Sequence, residues 1–313
     1  MFLMKASSRR LTSNMDIINT DRISRKFGNI TAVENISLNV RKGEIYGLLG
    51  LNGAGKTTLI RMLLRMIRPG QGAIYLFGKQ LTADFNCWNN VGYMVESPNA
   101  YPELSVVENL MVYYKLRKLN DPSLLGGIIN RLKLTSFIDS KARTLSMGNH
   151  QRLGIAKALM HNPQLIILDE PINGLDPEGI VEIRELMQKL VAEGATILLS
   201  SHILTEISRI ATRIAIIHEG RLRKELSSME LSAALTKKLV IDTIDNGKAH
   251  QFLRNTCTDL NINLQGELEL SDEYAIIHPE EISGLLIENG FKLKKLFVST
   301  EDLEMYFLRN IRN

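Results

Sequence analysis

The sequence predicts an α/β fold with a mixed sheet, and three stretches carry that prediction. Residues 50–58 read Gly-Leu-Asn-Gly-Ala-Gly-Lys-Thr-Thr, between a short apolar run at 45–49 and a segment in which Leu59, Ile60, Leu63, Leu64 and Ile67 recur at helical spacing. That is strand, glycine-rich loop and helix in order. Residues 165–168, Leu-Ile-Ile-Leu, are continuously apolar, as a parallel strand buried on both faces is. Residues 30–40 instead alternate, with Ile36, Leu38 and Val40 on one side, as an antiparallel strand does.

The loop at 50–58 has the spacing of a phosphate cradle. Gly50, Gly53 and Gly55 carry no Cβ, so the backbone can bend tightly and approach an anion. The N–H groups of Asn52, Ala54 and their neighbours then form an inward-facing nest. Lys56 can reach β- and γ-phosphates, the Thr57 hydroxyl can sit on Mg²⁺, and Thr58 continues into the helix. The helix N-terminus adds partial positive charge beneath the phosphates. The periodicity carries this helix to Pro69-Gly70.

Composition bounds the remaining reading. The chain has 313 residues, enough for two domains, with 44% hydrophobic and 23% charged residues as in an ordinary globular protein. Its 38 basic and 34 acidic residues leave a net charge of +4, too balanced for a polyanion binder that works by charge alone. Cys87 and Cys257 match no metal or redox spacing and suit a reducing cytosol. No apolar run is long enough to span a bilayer. Residues 1–15 are expected to be a disordered tail. They include Arg9 and Arg10, which could touch a membrane surface, and Met15 as an alternative start. No continuous apolar core precedes a cleavage site there, so no signal peptide is read.

Along the chain, residues 16–27 read as a first strand and turn. Phe27, ahead of Gly28-Asn29, is either a stacking surface for an adenine ring or a half-buried hairpin aromatic. Residues 73–77 and 91–95 are short strands, with Glu96 directly after the second and a turn-rich loop at 97–102. Ser105 and Glu108 make a capping box for a helix to about 119, and a second helical piece runs over 123–134. At 145–149, Leu-Ser-Met-Gly-Asn precedes another helix. Ser146 and Gly148 there are either a helix cap or an anion site built from a hydroxyl and a helix N-terminus.

Residues 165–168 end in Asp169-Glu170, at the strand end where α/β sheets place their chemistry. Side chains alternate along a strand, so the two carboxylates can divide the work. Asp169 can hold Mg²⁺ and Glu170 can polarise or deprotonate an attacking water. A turn at 173–177 contains Asp176, a helix follows over 178–193, and the buried strand 196–200 leads to His202, which can reach a γ-phosphate. Residues 213–218 are a last core strand. Beyond about 223, residues 239–242 and 274–277 read as strands, and 279–289 and 301–309 as helices.

Residues 16–222 together resemble the nucleotide-binding subunit of an ATP-binding cassette (ABC) transporter. The loop at 50–57 is similar to its Walker A motif, 165–170 to Walker B, 145–149 to the signature, Leu175-Asp176 to the D-loop and His202 to the switch histidine. The resemblance implies a P-loop NTPase core, a helical subdomain at about 97–160, and a small α/β appendage at 223–313. It implies ATP and Mg²⁺ as cofactors, Glu170 as catalytic glutamate, and a head-to-tail homodimer or paired ABC subunit. In that dimer Ser146 and Gly148 of one copy meet the γ-phosphate held by the other.

Two departures stand out. The signature usually reads Leu-Ser-Gly-Gly-Gln, and Met147 and Asn149 replace its first glycine and its glutamine. Most cassettes carry a glutamine in the Q-loop, which senses Mg²⁺, water and the membrane partner, and Glu96 stands there. That glutamate is similar to cassettes protecting bacteria from lantibiotics and bacitracin. The implied protein is an ATPase at the cytoplasmic face of the membrane, working with a separate integral-membrane permease and no nucleic acid. Rivals are a cassette acting on ribosomes or DNA, an exporter of another drug or ion, and a non-hydrolysing regulator. The first lacks its usual second cassette or coiled-coil insert, and the last is opposed by Asp169, Glu170 and His202.

Overall fold

The computed structural model describes residues 16–96, 99–254, 257 and 259–312. The expectations for residues 1–15, with Arg9, Arg10 and Met15, and for Ser97 and Pro98 lie outside the described residues. The chain forms two compact units, one through Ser228 and one from Met229.

The first unit opens with β1 (Asp16–Phe27) and β2 (Ile30–Ile36), an antiparallel pair, and β3 (Asn39–Arg41), which pairs with the start of β1. The single strand expected over 30–40 is thus divided. At the break the Leu38 N–H turns to Thr20 Oγ1 at 2.9 Å, which takes it out of the ladder. β4 (Ile45–Leu49) is buried at every position, and α1 (Lys56–Leu63) follows. α1 stops before the expected Pro69. Arg65 takes a φ of 57°, and the N–H groups of Met66 and Ile67 both return to Arg61 O, at 2.9 and 3.2 Å.

β5 (Gln71–Leu76) and β6 (Lys79–Gln80) complete a sheet ordered β2-β1-β5-β6, with β3 beside β1. β7 (Val91–Met94) starts the other sheet. Helices α2 (Val106–Leu116), α3 (Ser123–Arg131) and α4 (Met147–Leu159) follow. The capping box at Ser105 and Glu108 is present in both directions. Next come β8 (Leu165–Leu168), α5 (Pro177–Ala192), β9 (Thr196–Ser201), the short α6 (Leu204–Ser208), β10 (Arg213–His218) and β11 (Arg221–Ser227). The second sheet runs β11-β10-β4-β9-β8-β7, parallel throughout except for β11. Residues 223–227, assigned from sequence to the appendage, belong to β11 and complete this sheet.

The second unit contains most of α7 (Ser228–Ala234), then β12 (Lys237–Thr243), α8 (Asn246–Leu253), β13 (Leu260–Ile262), β14 (Leu268–Leu270), α9 (Glu273–Ile277), α10 (Pro279–Glu288), β15 (Leu293–Thr300) and α11 (Leu303–Arg312). Its antiparallel sheet is ordered β13-β14-β12-β15. That order, with α8 and α10 as crossovers, is the split βαβ arrangement of ferredoxin-like domains. Residues 274–277, expected as a strand, are helical. The Asp272 side chain caps α9 by accepting from the Ala275 N–H at 2.9 Å, which commits the segment to a helix.

Two positions make the fold testable. A Cβ on Gly92 in β7 would lie 2.0 Å from Ala158 O of α4, so helix and strand touch through bare backbone. Gly92→Ala should lower the unfolding free energy by about 1–3 kcal/mol, measured by urea denaturation. At the end of α4, His161 Nε2 lies 3.0 Å from Val91 O while Nδ1 is buried without a partner. Burial, and then the charge of Arg117, push the ring down to a pKa of about 4 from 6.5. The unfolded ring takes up its proton near pH 6.5 and the folded ring only near 4, so this residue's contribution is full above 6.5 and is lost as the pH falls toward 4. Thermal melts of His161→Gln over that range should show a smaller acid-induced loss than wild type.

Candidate functional site

Parallel register brings the candidate groups to one edge. Leu49 of β4 pairs with Ser201 of β9, and Leu168 of β8 pairs with Leu199. The C-terminal ends of the three strands therefore stand together, carrying Gly50, Asp169-Glu170 and His202.

The loop after β4 is shaped by its glycines. Gly53 and Gly55 take φ of 81° and 104°, which suits residues without a Cβ. A Cβ on Gly55 would lie 2.3 Å from Ala32 O, and one on Gly50 would lie 2.5 Å from Ile217 O. Residues 51–58 line a cavity of about 440 Å³ together with Thr31 and Glu170. Asn52, Ala54, Lys56, Thr57 and Thr58 are thus all at the loop cavity, and Gly50, which begins the loop, is not among its lining residues. Lys56 is buried. Its Nζ donates to Gly50 O at 2.7 Å and lies 3.2 Å from Glu170 Oε1.

Glu170 is held on every polar group. Its backbone takes a φ of 50°. Its N–H donates to Ser200 Oγ at 2.9 Å, and its carbonyl accepts from Gln151 Nε2 at 2.9 Å. Carboxylate Oε2 lies 2.9 Å from His202 Nδ1. Ser200 Oγ in turn donates to Asp169 Oδ1 at 2.5 Å, and Asp169 is buried. One hydroxyl thus orients both acids. A second cavity of about 560 Å³ brings Thr57, Glu96, Asp169 and Glu170 to one wall.

Among the described residues no group of three or more His, Cys, Asp or Glu could hold a metal ion unaided. The donors present are a Thr57 hydroxyl and the Asp169 and Glu96 carboxylates. They are hard oxygen ligands that fit Mg²⁺ when phosphate oxygens complete the shell. Glu96 takes a φ of 61° and is paired with Arg61 of α1.

Other candidates stand apart from the loop cavity. Phe27 is exposed, with the Arg25 guanidinium 5.0 Å from its ring centre, and does not line that cavity. Ser146 caps α4 by accepting from the Asn149 N–H at 3.3 Å and is exposed, with Gly148 in the first turn. Asp176 caps α5 through the Gly179 N–H at 3.0 Å. Beside Glu96 runs a groove of about 450 Å³ lined by Met66, Tyr93, Tyr101, Leu116 and Lys157. Burial lowers the Lys157 pKa to about 8. Sequence reading missed Ser200, Gln151 and Arg61. The first two have a visible signal: a polar residue inside an apolar strand, and a glutamine on the apolar face of a helix.

The family model for ABC transporters matches residues 33–173. The bacitracin transport ATP-binding protein BcrA of Enterococcus faecalis is 39% identical over 94% of this chain and 96% of its own length. The chain belongs to the ABC transporter ATP-binding proteins. The lantibiotic transport ATP-binding protein SrtF of Streptococcus pyogenes is 35% identical over 68% of this cassette chain and 93% of its own. A solved ATP-binding subunit of an ABC transporter matches with a TM-score of 0.63 at 29% identity, over 69% of this chain and 92% of that one. Cassettes of this family are ATPases, and the same loop, strand ends and signature helix are present here. Ser200→Ala removes one hydroxyl from both acids of the cassette. It should lower kcat for ATP by about 10-fold and stability by about 1–3 kcal/mol, checked by phosphate release and thermal melting.

Proposed function

We propose that this cassette is the ATP-hydrolysing subunit of an exporter for a bacitracin- or lantibiotic-type antimicrobial peptide, driven through a separate membrane permease. The observation that carries the hydrolytic reading is Glu170, held between Lys56 and His202 at the rim of the loop cavity beside buried Asp169. The peptide cargo is supported by the bacitracin-transport relative, whose similarity extends over nearly the whole chain, the second unit included.

The chemistry follows from the chain's own groups. The loop N–H groups and Lys56 receive the phosphates. Lys56 then exchanges its pairing with Glu170 for a phosphate oxygen, which frees the carboxylate. Glu170 accepts a proton from, or orients, the attacking water. His202 donates to Glu170 Oε2 and keeps it aimed. Thr57 and Asp169, with Glu96, would hold Mg²⁺, which would supply neutralisation of negative charge on the phosphates. Phe27 stacks on the adenine. Ser146, Gly148 and Asp176 lie away from their own loop cavity and serve the nucleotide of a second, head-to-tail copy. The exposed N-terminus of α4 presents N–H groups to an anion.

No described helix is long and apolar enough to cross a membrane, so the proposed transport needs a permease, which would hold the cassette at the cytoplasmic face. The groove beside Glu96 supports this partner, because Met66, Tyr101 and Leu116 stay exposed along it.

In the purified protein, Glu170→Gln should lower kcat by about 100-fold or more and leave an ATP-bound dimer on size exclusion. A variant that hydrolyses ATP at the wild-type rate would remove Glu170 from the chemistry. In the source strain, the same change should sensitise cells to bacitracin or one lantibiotic. Equal susceptibility of both strains to the whole panel would refute the peptide cargo and leave the ATPase standing.

A further inference from the structure

The signature helix is fastened to the segment that carries Glu170 within one chain. Gln151 of α4, 5% exposed, donates to the Glu170 carbonyl. One turn earlier, Met147 lies over Gly174: a Cβ on that glycine would be 2.0 Å from Met147 Sδ. A Cβ on Gly148 would stand 3.4 Å from Leu175 Cδ2. The first two turns of α4 therefore hold residues 170–175 through Gln151 and Met147.

The other anchor of the Glu170 peptide is Ser200, in the centre of a buried parallel sheet. That side is rigid. The α4 side is not symmetrical with it, because α4 begins at an exposed Ser146 and ends inside the core. Gln151 lies in the second turn from that exposed end.

We propose that Gln151 is a positioning residue for Glu170, and that α4 links the two nucleotide sites of the dimer through it. The proposal rests on the head-to-tail reading above. In that assembly the first turn of α4 meets the γ-phosphate in the partner's loop, while Glu170 of the same chain serves its own loop. Contact with one nucleotide thus sets the orientation of the general base at the other. Met147 stiffens the link, because its side chain fills the space above Gly174 that a glycine would leave open.

The test compares wild type, Gln151→Met and Met147→Ala as full-length proteins with Mg-ATP. Gln151→Met keeps the length of the side chain and removes its N–H. Its kcat should fall about 10- to 100-fold while KM for ATP stays within about 2-fold. Wild-type hydrolysis should be cooperative in ATP, and the Hill coefficient should drop toward 1 in both variants. Met147 is exposed, so Met147→Ala tests the link even if Gln151→Met folds poorly. In a Glu170→Gln background, both variants should still form the ATP dimer on size exclusion.

Unchanged kcat and Hill coefficient in both variants would overturn the proposal, as would a wild-type Hill coefficient of 1. Loss of the ATP dimer in the double variants would overturn it as well, placing the effect on the interface and not on Glu170. A Glu170→Gln protein that stays monomeric in ATP would refute the head-to-tail reading, and with it the link between sites. The kcat of Gln151→Met would then still decide the positioning role within one chain.

Discussion

The site depends on the parallel pairing of β4, β9 and β8. Because the three strands end together, a short hydroxyl at the end of the middle strand can serve its neighbour. Ser200 spans the gap, donating to the Asp169 carboxylate and accepting from the Glu170 N–H. A slip of one residue in β9 would turn Ser200 to the other face of the sheet and leave both acids without this support. These strands are buried at every position, so packing on both faces holds the register. The chemistry at the edge is therefore aligned by hydrophobic packing in the interior.

Within that frame, charge is stored for exchange. Lys56 is almost fully buried, and a buried ammonium is costly unless paired. Here it is paired with Glu170 and two loop carbonyls. In the proposed mechanism a nucleotide phosphate replaces Glu170 as the partner of Lys56 and frees the carboxylate. The Arg61–Glu96 pair has the same logic one turn further along α1, where an exposed carboxylate beside the groove is held by a cation on the helix that starts at the phosphate loop.

What could be read from the sequence was local. The loop at 50–58, the acids after an apolar run and the capping box at Ser105 each depend on residues a few positions apart, and each is present in the structure. The contacts that finish the site are not local. Gln151 meets Glu170 across 19 positions and Ser200 meets it across 30, so only the fold brings them together. The second unit was harder for a different reason. Tyr274-Ala275-Ile276-Ile277 is too short an apolar run for periodicity to separate strand from helix, and Asp272 decides it by capping. Residues 293–300 carry Lys294 and Lys295 inside a strand, and their charges are absorbed by pairs with Asp242 and Glu267 on neighbouring segments.

The departures from the usual signature become intelligible on the same terms. Asn149 contributes its backbone N–H to the Ser146 cap, which any residue but proline could do, so replacement of the glutamine leaves the helix start intact. Met147 projects outward, 69% exposed, and turns its sulfur over Gly174. The demand is met at the other residue: Gly174 has a φ of 76° and no side chain, and any Cβ there would collide with the thioether. A bulky residue in the signature and a bare one in the turn after Glu170 thus form one complementary pair. A cassette with glycine at both positions would keep the same hydroxyl and N–H groups at the start of α4, but with a looser connection behind them.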